Sequence, residues 1–254
     1  MRTYLFLGDS VTDSSRNWDE EGLGEGYVRK IAETLHYGSG ELRVVNAGTD
    51  GYTLEDLLSE WEKTERTIKE APGGASSCFV SVLIGINDAL GIASSAERSA
   101  DPADFTSEKE GRTERVRDLP SGGAADRAVC RFSERFRELA ARIRAAGCGR
   151  VTVIEPFALE PVTFGGAEAP ECLLPVLDRI ASAEEKAASE AGFVFVPTRS
   201  VFLRQSQCSG EPLTVDGIHP TDEGHELLAE RFLKTIRFSG TDRRQGGFIL
   251  PPYE

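Results

Sequence analysis

The chain has 254 residues, with 29 basic against 42 acidic side chains and a formal net charge of −13. That balance disfavours nucleic acid and anionic membrane as partners, since both are polyanions, and no apolar run is long enough for a membrane span. Five cysteines, an odd number without a Cys-x-x-Cys, read as reduced and structural; with the first strand beginning almost at Met1, where no secretory leader fits, the chain is expected to be cytoplasmic.

Residues 4–7 are apolar or aromatic and are stopped by Gly8, the pattern of a parallel strand buried on both faces. Ser10 follows just past the carboxyl end of that strand, where open α/β sheets place their ligands. A polar segment, 11–26, comes next. Helical spacing over 27–35 puts Tyr27, Ile31 and Leu35 on one side. Residues 42–46 predict a second strand, closed by Ala47-Gly48. Thr53 is placed to cap a helix over 54–70, with Leu54, Leu57, Leu58, Trp61 and Ile68 as its apolar stripe. A third strand over 78–84 stops at Gly85. A helix is expected over 126–146, a fourth strand over 151–154, a helix over 173–191 and a fifth strand over 193–196. The last helix spans 221–236, with Thr221 as its N-cap and Asp222 and Glu223 in its first turn.

This βαβα order has no composition break. It predicts one α/β domain over residues 1–238, with a parallel sheet of about five strands covered by helices on both faces. Two segments stand outside the pattern. The polar stretch 91–125 reads as an insertion after a site segment, either a lid or a mobile surface loop. The tail 239–254 carries Phe248, Ile249 and Leu250 and cannot extend the last helix; it packs back on the domain, packs on a neighbouring copy or is disordered, which leaves a homo-oligomer open.

A serine hydroxyl is a poor nucleophile without a base, and a histidine base needs a carboxylate to orient it. His36 reads as a solvated helix end and His225 as a packing or capping residue. His219 differs, lying in Asp216-Gly217-Ile218-His219-Pro220, where three residues and a glycine let the carboxylate reach the imidazole. An ordinary turn before a capped helix accounts for the same residues equally well. An acyl-transfer site also needs oxyanion donors. The Ser10 backbone N–H, the Gly48 N–H and the Asn87 side-chain amide all follow carboxyl ends of predicted strands. Three histidines and scattered carboxylates make no metal-ligand set. No phosphate-binding glycine motif follows the first strand, so neither metal nor cofactor is expected. No Gly-x-Ser-x-Gly elbow occurs, which excludes the α/β-hydrolase architecture.

Gly8-Asp9-Ser10, Gly48 after Asn46, Gly85-x-Asn87-Asp88 and Asp216-x-x-His219 resemble, in order, the four blocks of the SGNH (GDSL-type) hydrolases. The resemblance implies a flavodoxin-like three-layer α/β/α fold and a Ser10–His219–Asp216 triad. It also implies an oxyanion hole from Ser10, Gly48 and Asn87, with Asp9 and Asp88 as supporting residues that hold the loops. Leu23-Gly24-x-Gly26-Tyr27-Val28, Arg43-Val44-Val45-Asn46, Trp61 and Gly224-His225 resemble intracellular bacterial members, a group with acetylesterases of acetylated xylo-oligosaccharides. The expectation is therefore a serine ester hydrolase whose partner is a small-molecule ester, such as an acetylated oligosaccharide. The alternatives are a lysophospholipase or thioesterase of the same family, and a non-catalytic glycan-binding module.

Overall fold

A computed structural model describes residues 1–36, 40–99, 123–164 and 166–238. In chain order its elements are β1 (Arg2–Gly8), α1 (Ser10–Asp13), a 3₁₀ turn (Arg16–Trp18), α2 (Tyr27–Thr34), β2 (Leu42–Gly48), α3 (Leu54–Ser59), α4 (Trp61–Lys69) and β3 (Cys78–Leu83). There follow α5 (Ile86–Ser99), α6 (Ala124–Ala145), β4 (Arg150–Ile154), a short antiparallel pair β5 (Thr163–Phe164) and β6 (Ala167–Glu168), α7 (Leu173–Ala191), β7 (Val194–Val196), α8 (Arg199–Ser209) and α9 (Asp222–Phe238).

Among the described residues the main sheet has five strands in the order β2-β1-β3-β4-β7, and every neighbouring pair is parallel. The order reverses direction at β1, which makes the carboxyl end between β1 and β3 the topological switch point. Register puts three chain exits level there. Gly8 pairs with Gly48 on one side and Leu83 on the other. Ser10, the turn after β2 and the Gly85-Ile86-Asn87 segment therefore leave the sheet side by side.

Alternation along β1 sorts its side chains to the two faces. Leu5 and Leu7 join one core with Leu57, Phe136 and Leu177, under α3 to α7. Tyr4 and Phe6 join the other with Tyr27, Phe202 and Phe232, under α2, α8 and α9. Both strand faces are dry, which explains the unbroken apolar run of β1. No helix of the described residues is long and apolar enough to cross a membrane.

Four details differ from the sequence expectations. The helix expected over 54–70 is two helices, α3 and α4, meeting at Glu60. Thr53 and Asp56 close a capping box on α3, and the break leaves both Leu58 and Trp61 buried. The stretch 91–125 is not a loop at its ends: residues 91–99 continue α5 and Ala124 opens α6. Residues 100–122 and the tail 239–254 lie outside the described residues. Helix α8 and the β5–β6 pair were not expected from the sequence. All five cysteines are free.

Candidate active site

Ser10 opens α1, a single turn set directly on the end of β1. Asp9 is its N-cap, accepting the Val11 N–H at 3.0 Å, while the Asp9 carbonyl receives the N–H groups of Thr12 and Asp13. The Ser10 N–H has no hydrogen-bond partner among the described residues. Burial pushes the Asp9 carboxyl up to about 7, although the Val11 N–H and the nearby His219 pull the other way.

The loop carrying Asp216 and His219 is a pinched turn between α8 and α9. Val215 donates to the His219 carbonyl and Thr221 to the Leu213 carbonyl, closing its neck. Its outer edge is bonded to the chain beyond β4, with Leu159 donating to Gly217 O and Thr163 to Asp216 O. Gly217 has φ +91°, and a Cβ there would meet Leu159 O at 2.4 Å, so only glycine fits. Thr221 then caps α9, its Oγ1 accepting the Gly224 N–H at 3.2 Å.

Within that turn Asp216 Oδ1 accepts the N–H groups of Ile218 and His219, at 2.9 and 2.8 Å. Its Oδ2 lies 2.6 Å from His219 Nδ1. Burial alone would raise the Asp216 carboxyl, but the backbone and imidazole hydrogen bonds from His219 and the Ile218 N–H outweigh it and hold the group below the usual range. An ionised Oδ2 can only accept, so the imidazole proton sits on Nδ1 and Nε2 is left as an acceptor. Ser10 Oγ lies 2.9 Å from that Nε2. The hydroxyl can thus pass its proton to the imidazole while its oxygen attacks an electrophile.

The three expected oxyanion donors fare differently. The Ser10 N–H is open. Asn87, in the first turn of α5, gives one amide hydrogen to Tyr52 O at 2.9 Å and keeps a second for a ligand. Gly48 is otherwise engaged: its N–H donates to Asn46 Oδ1 at 2.9 Å. What requires glycine at this position is close packing, since a Cβ would fall 2.3 Å from the Asp13 backbone nitrogen. Asp88 ties α5 to α3 by accepting the Leu54 N–H at 3.0 Å, and burial pushes it up to about 6.

Asn46 and Arg16 were missed as organisers of the site. Buried Asn46 donates from Nδ2 to Thr12 O and Leu23 O, both at 2.7 Å, binding α1 and its following loop to β2. A polar residue ending an apolar strand was the available signal. Arg16 donates from Nε to the Gly48 carbonyl and from Nη2 to Thr49 Oγ1 at 3.3 Å. It locks the 3₁₀ turn onto the end of β2. His36 is exposed, while His225 is buried in the wall of the cleft.

The cleft has a volume of about 520 Å³ and is lined by Ser10 and His219 together with Asn17, Trp18, Asp50 and His225. Among the described residues no cluster of His, Cys, Asp and Glu is arranged to hold a metal ion.

The open parallel sheet, with Ser10, His219 and Asp216 linked by hydrogen bonds at its switch point, has the three-layer α/β/α architecture. The chain belongs to the GDSL-like Lipase/Acylhydrolase family, which matches residues 6–227; it is a carboxylic ester hydrolase. It is 29% identical to an acetylxylan esterase of Geobacillus stearothermophilus over 242 residues, covering 92% of this chain and 93% of that protein. The crystal structure of Axe2, an acetylxylan esterase from the same organism, superposes with a TM-score of 0.65 at 24% identity, over 100% of this chain and 97% of that one. LAE5, an alpha/beta hydrolase enzyme from the metagenome of Lake Arreo, Spain, gives a TM-score of 0.65 at 22% identity, over 92% of this chain and 94% of that one. These likenesses agree with the five-stranded parallel sheet and its two helical layers.

Proposed function

We propose that this protein is a serine esterase that removes short acyl groups, acetyl foremost, from carbohydrate esters through a Ser10–His219–Asp216 triad. The observation that carries the reading is the pair of contacts through one imidazole: Ser10 Oγ at 2.9 Å from Nε2, and Asp216 Oδ2 at 2.6 Å from Nδ1. Ser10 Oγ adds to the ester carbonyl as its proton passes to Nε2. The tetrahedral intermediate collapses, His219 returns the proton to the departing alcohol, and the acyl group stays on Ser10. Water, deprotonated by His219, then adds to the acyl-enzyme and releases the acid. Asp216 orients the ring and offsets the charge it gains.

The oxyanion falls to the Ser10 N–H and the free Asn87 amide hydrogen. With the Gly48 N–H given to Asn46, the third donor is assigned to the turn that follows β2. Asp50 of that turn lines the cleft, and Gly51, at φ +74°, has no hydrogen-bond partner for its N–H among the described residues. Asp9 and Asp88 act as supports, the first by capping α1 and the second by anchoring α3.

The acetyl-carbohydrate assignment rests on the family, on the likeness to an acetylxylan esterase and on the polar cleft wall. Five free thiols favour a reducing compartment and hence the cytoplasm. The test is a panel of p-nitrophenyl esters of increasing acyl length, run beside Ser10→Ala. Turnover should peak at the acetyl ester and vanish in the variant. A preference for acyl chains of ten or more carbons points instead to a lysophospholipase or thioesterase. Failure of a fluorophosphonate probe to label Ser10 in folded protein points to a glycan-binding module.

A further inference from the structure

Trp18 is 91% exposed, whereas Trp61 is buried in the core. Single exposed apolar side chains are ordinary on protein surfaces. The setting of this one is not. Its backbone is held tightly: the Trp18 N–H donates to Ser15 O at 2.9 Å and the Asp19 N–H to Arg16 O. The Arg16 backbone N–H donates to Asp13 Oδ1 at 3.1 Å, and the Arg16 guanidinium is bonded to Gly48 O and Thr49 Oγ1. The turn thus belongs to the rigid frame of the nucleophile, while the indole it carries faces solvent.

Trp18, like Ser15, lines two adjoining depressions. It lines the cleft that holds Ser10 and His219. It lines as well a second depression of about 790 Å³, walled by charged groups including Asp19, Glu20, Arg29, Lys30 and Asp222. On the Ser10 side the cleft is lined mostly by polar residues, among them Ser14, Ser15, Asn17 and Asp50. An apolar acyl chain finds no continuous greasy wall there. A ring with an apolar face and polar edges does find a match: the C–H face of a pyranose can lie on the indole while its hydroxyls meet the flanking polar groups.

We infer that Trp18 is a stacking platform for a sugar ring next to the acetylated one, and that the preferred substrate is an oligosaccharide crossing the indole from one depression to the other. This rests on the ester-hydrolase reading of Ser10 and deepens it by naming the alcohol half of the substrate. Trp18 acts as a specificity-determining residue, since it binds the leaving group away from the reacting atoms.

The test compares kcat/KM on acetylated xylo-oligosaccharide with kcat/KM on ethyl acetate, which has nothing to stack. Loss of one aromatic face is expected to lower that ratio about tenfold in Trp18→Ala, mainly through KM, with Trp18→Tyr restoring most of it. A direct readout is tryptophan emission from Ser10→Ala protein titrated with the same oligosaccharide: it should shift to the blue and lose acrylamide quenching, and neither should occur in the Ser10→Ala, Trp18→Ala double variant. Wild-type protein that cleaves the acetylated oligosaccharide with ratio and emission both unmoved by Trp18 overturns the platform and leaves the esterase reading standing. Cleavage of ethyl acetate without any cleavage of acetylated oligosaccharide overturns the platform together with the carbohydrate assignment.

Discussion

The N–H of Tyr27 donates to Nδ1 of His225 at 3.2 Å, so a histidine in the wall of the cleft that holds Ser10 and His219 caps a neighbouring helix. That bond fixes the neutral tautomer with the proton on Nε2, facing Ser14 Oγ at 3.4 Å. Protonating Nδ1 would break the cap. Burial is the main cause pulling the imidazole down to about 4, assisted by Lys30, whose own charge is partly answered by Asp222 and Glu226.

The sign of the resulting pH effect follows from linkage. His225 has a depressed pKa in the folded state and an ordinary one, near 6.5, in the unfolded chain. Between those values the unfolded state binds more protons, so this group's contribution is intact above about pH 6.5 and is lost as the pH falls toward 4. Thermal unfolding of wild type and His225→Gln across pH 4.5–7.5 should show the gap between them narrowing on the acid side. A gap that widens there contradicts the assignment.

Asp216→Asn is expected to lower kcat about 10⁴-fold with little change in stability. The amide keeps an oxygen for the Ile218 and His219 N–H groups, but its NH₂ then faces Nδ1. Two donors cannot share that contact, so the imidazole proton moves to Nε2, where it blocks transfer from Ser10. Single-turnover kinetics on a short-chain ester, with the melting temperature as control, measure this. Near-normal kcat would show that Asp216 does not set the tautomer.

Asn46→Ala removes an acceptor for the Gly48 N–H and the donors to Thr12 O and Leu23 O, all in a buried setting. Leaving such groups unsatisfied should cost about 2–4 kcal/mol of unfolding free energy, read from denaturant titration. The folded fraction should also turn over more slowly, because the bonds to α1 help hold Ser10 in place. A loss below about 0.5 kcal/mol would mean that the loop carbonyls find other partners.

Glu184 on α7 is fully buried beneath Gly85, and neither carboxylate oxygen has a protein hydrogen-bond partner among the described residues. Burial, reinforced by Asp88, Asp9 and Glu155, raises this group well above the usual carboxylate range. An acid with a raised folded pKa is protonated in the native state while the unfolded state ionises, so stability falls as the pH climbs above about 4.5. Glu184→Met, similar in volume and without charge, should stabilise the fold by about 1–3 kcal/mol at pH 8 and by less at pH 5. Equal midpoints for the two proteins at pH 8 would mean that the buried carboxyl carries no net cost.

Much of this architecture was legible from the chain alone, for identifiable reasons. The strands of the main sheet read clearly because β1, β3 and β4 are buried on both faces and so are mostly apolar, with Ser81 and Thr152 as small polar exceptions inside β3 and β4. Asp216 and His219 were legible as a pair because they lie in one tight turn, close in sequence and in space. The N–H of Gly48 could not be read that way, since its partner is a side chain two residues back that could equally have faced elsewhere. Helix α8 escaped notice because most of its side chains face solvent around a single deeply buried residue, Phe202, which leaves no apolar stripe to detect. The β5 and β6 strands are two residues each, too short to show alternation. The break at Glu60 was hidden because both halves keep apolar side chains on the same side of the chain.

The joining of Ser10 to His219 spans 209 positions. All the strands β2, β3, β4 and β7 lie between the proposed nucleophile and its proposed base in the chain. A nascent chain that has already built the sheet through β7 still holds a serine with no proton acceptor. On the proposed triad, hydrolysis waits until the turn that carries His219, between α8 and α9, is seated beside Ser10. On that reading, ester turnover reports on the seating of this turn as well as on the sheet.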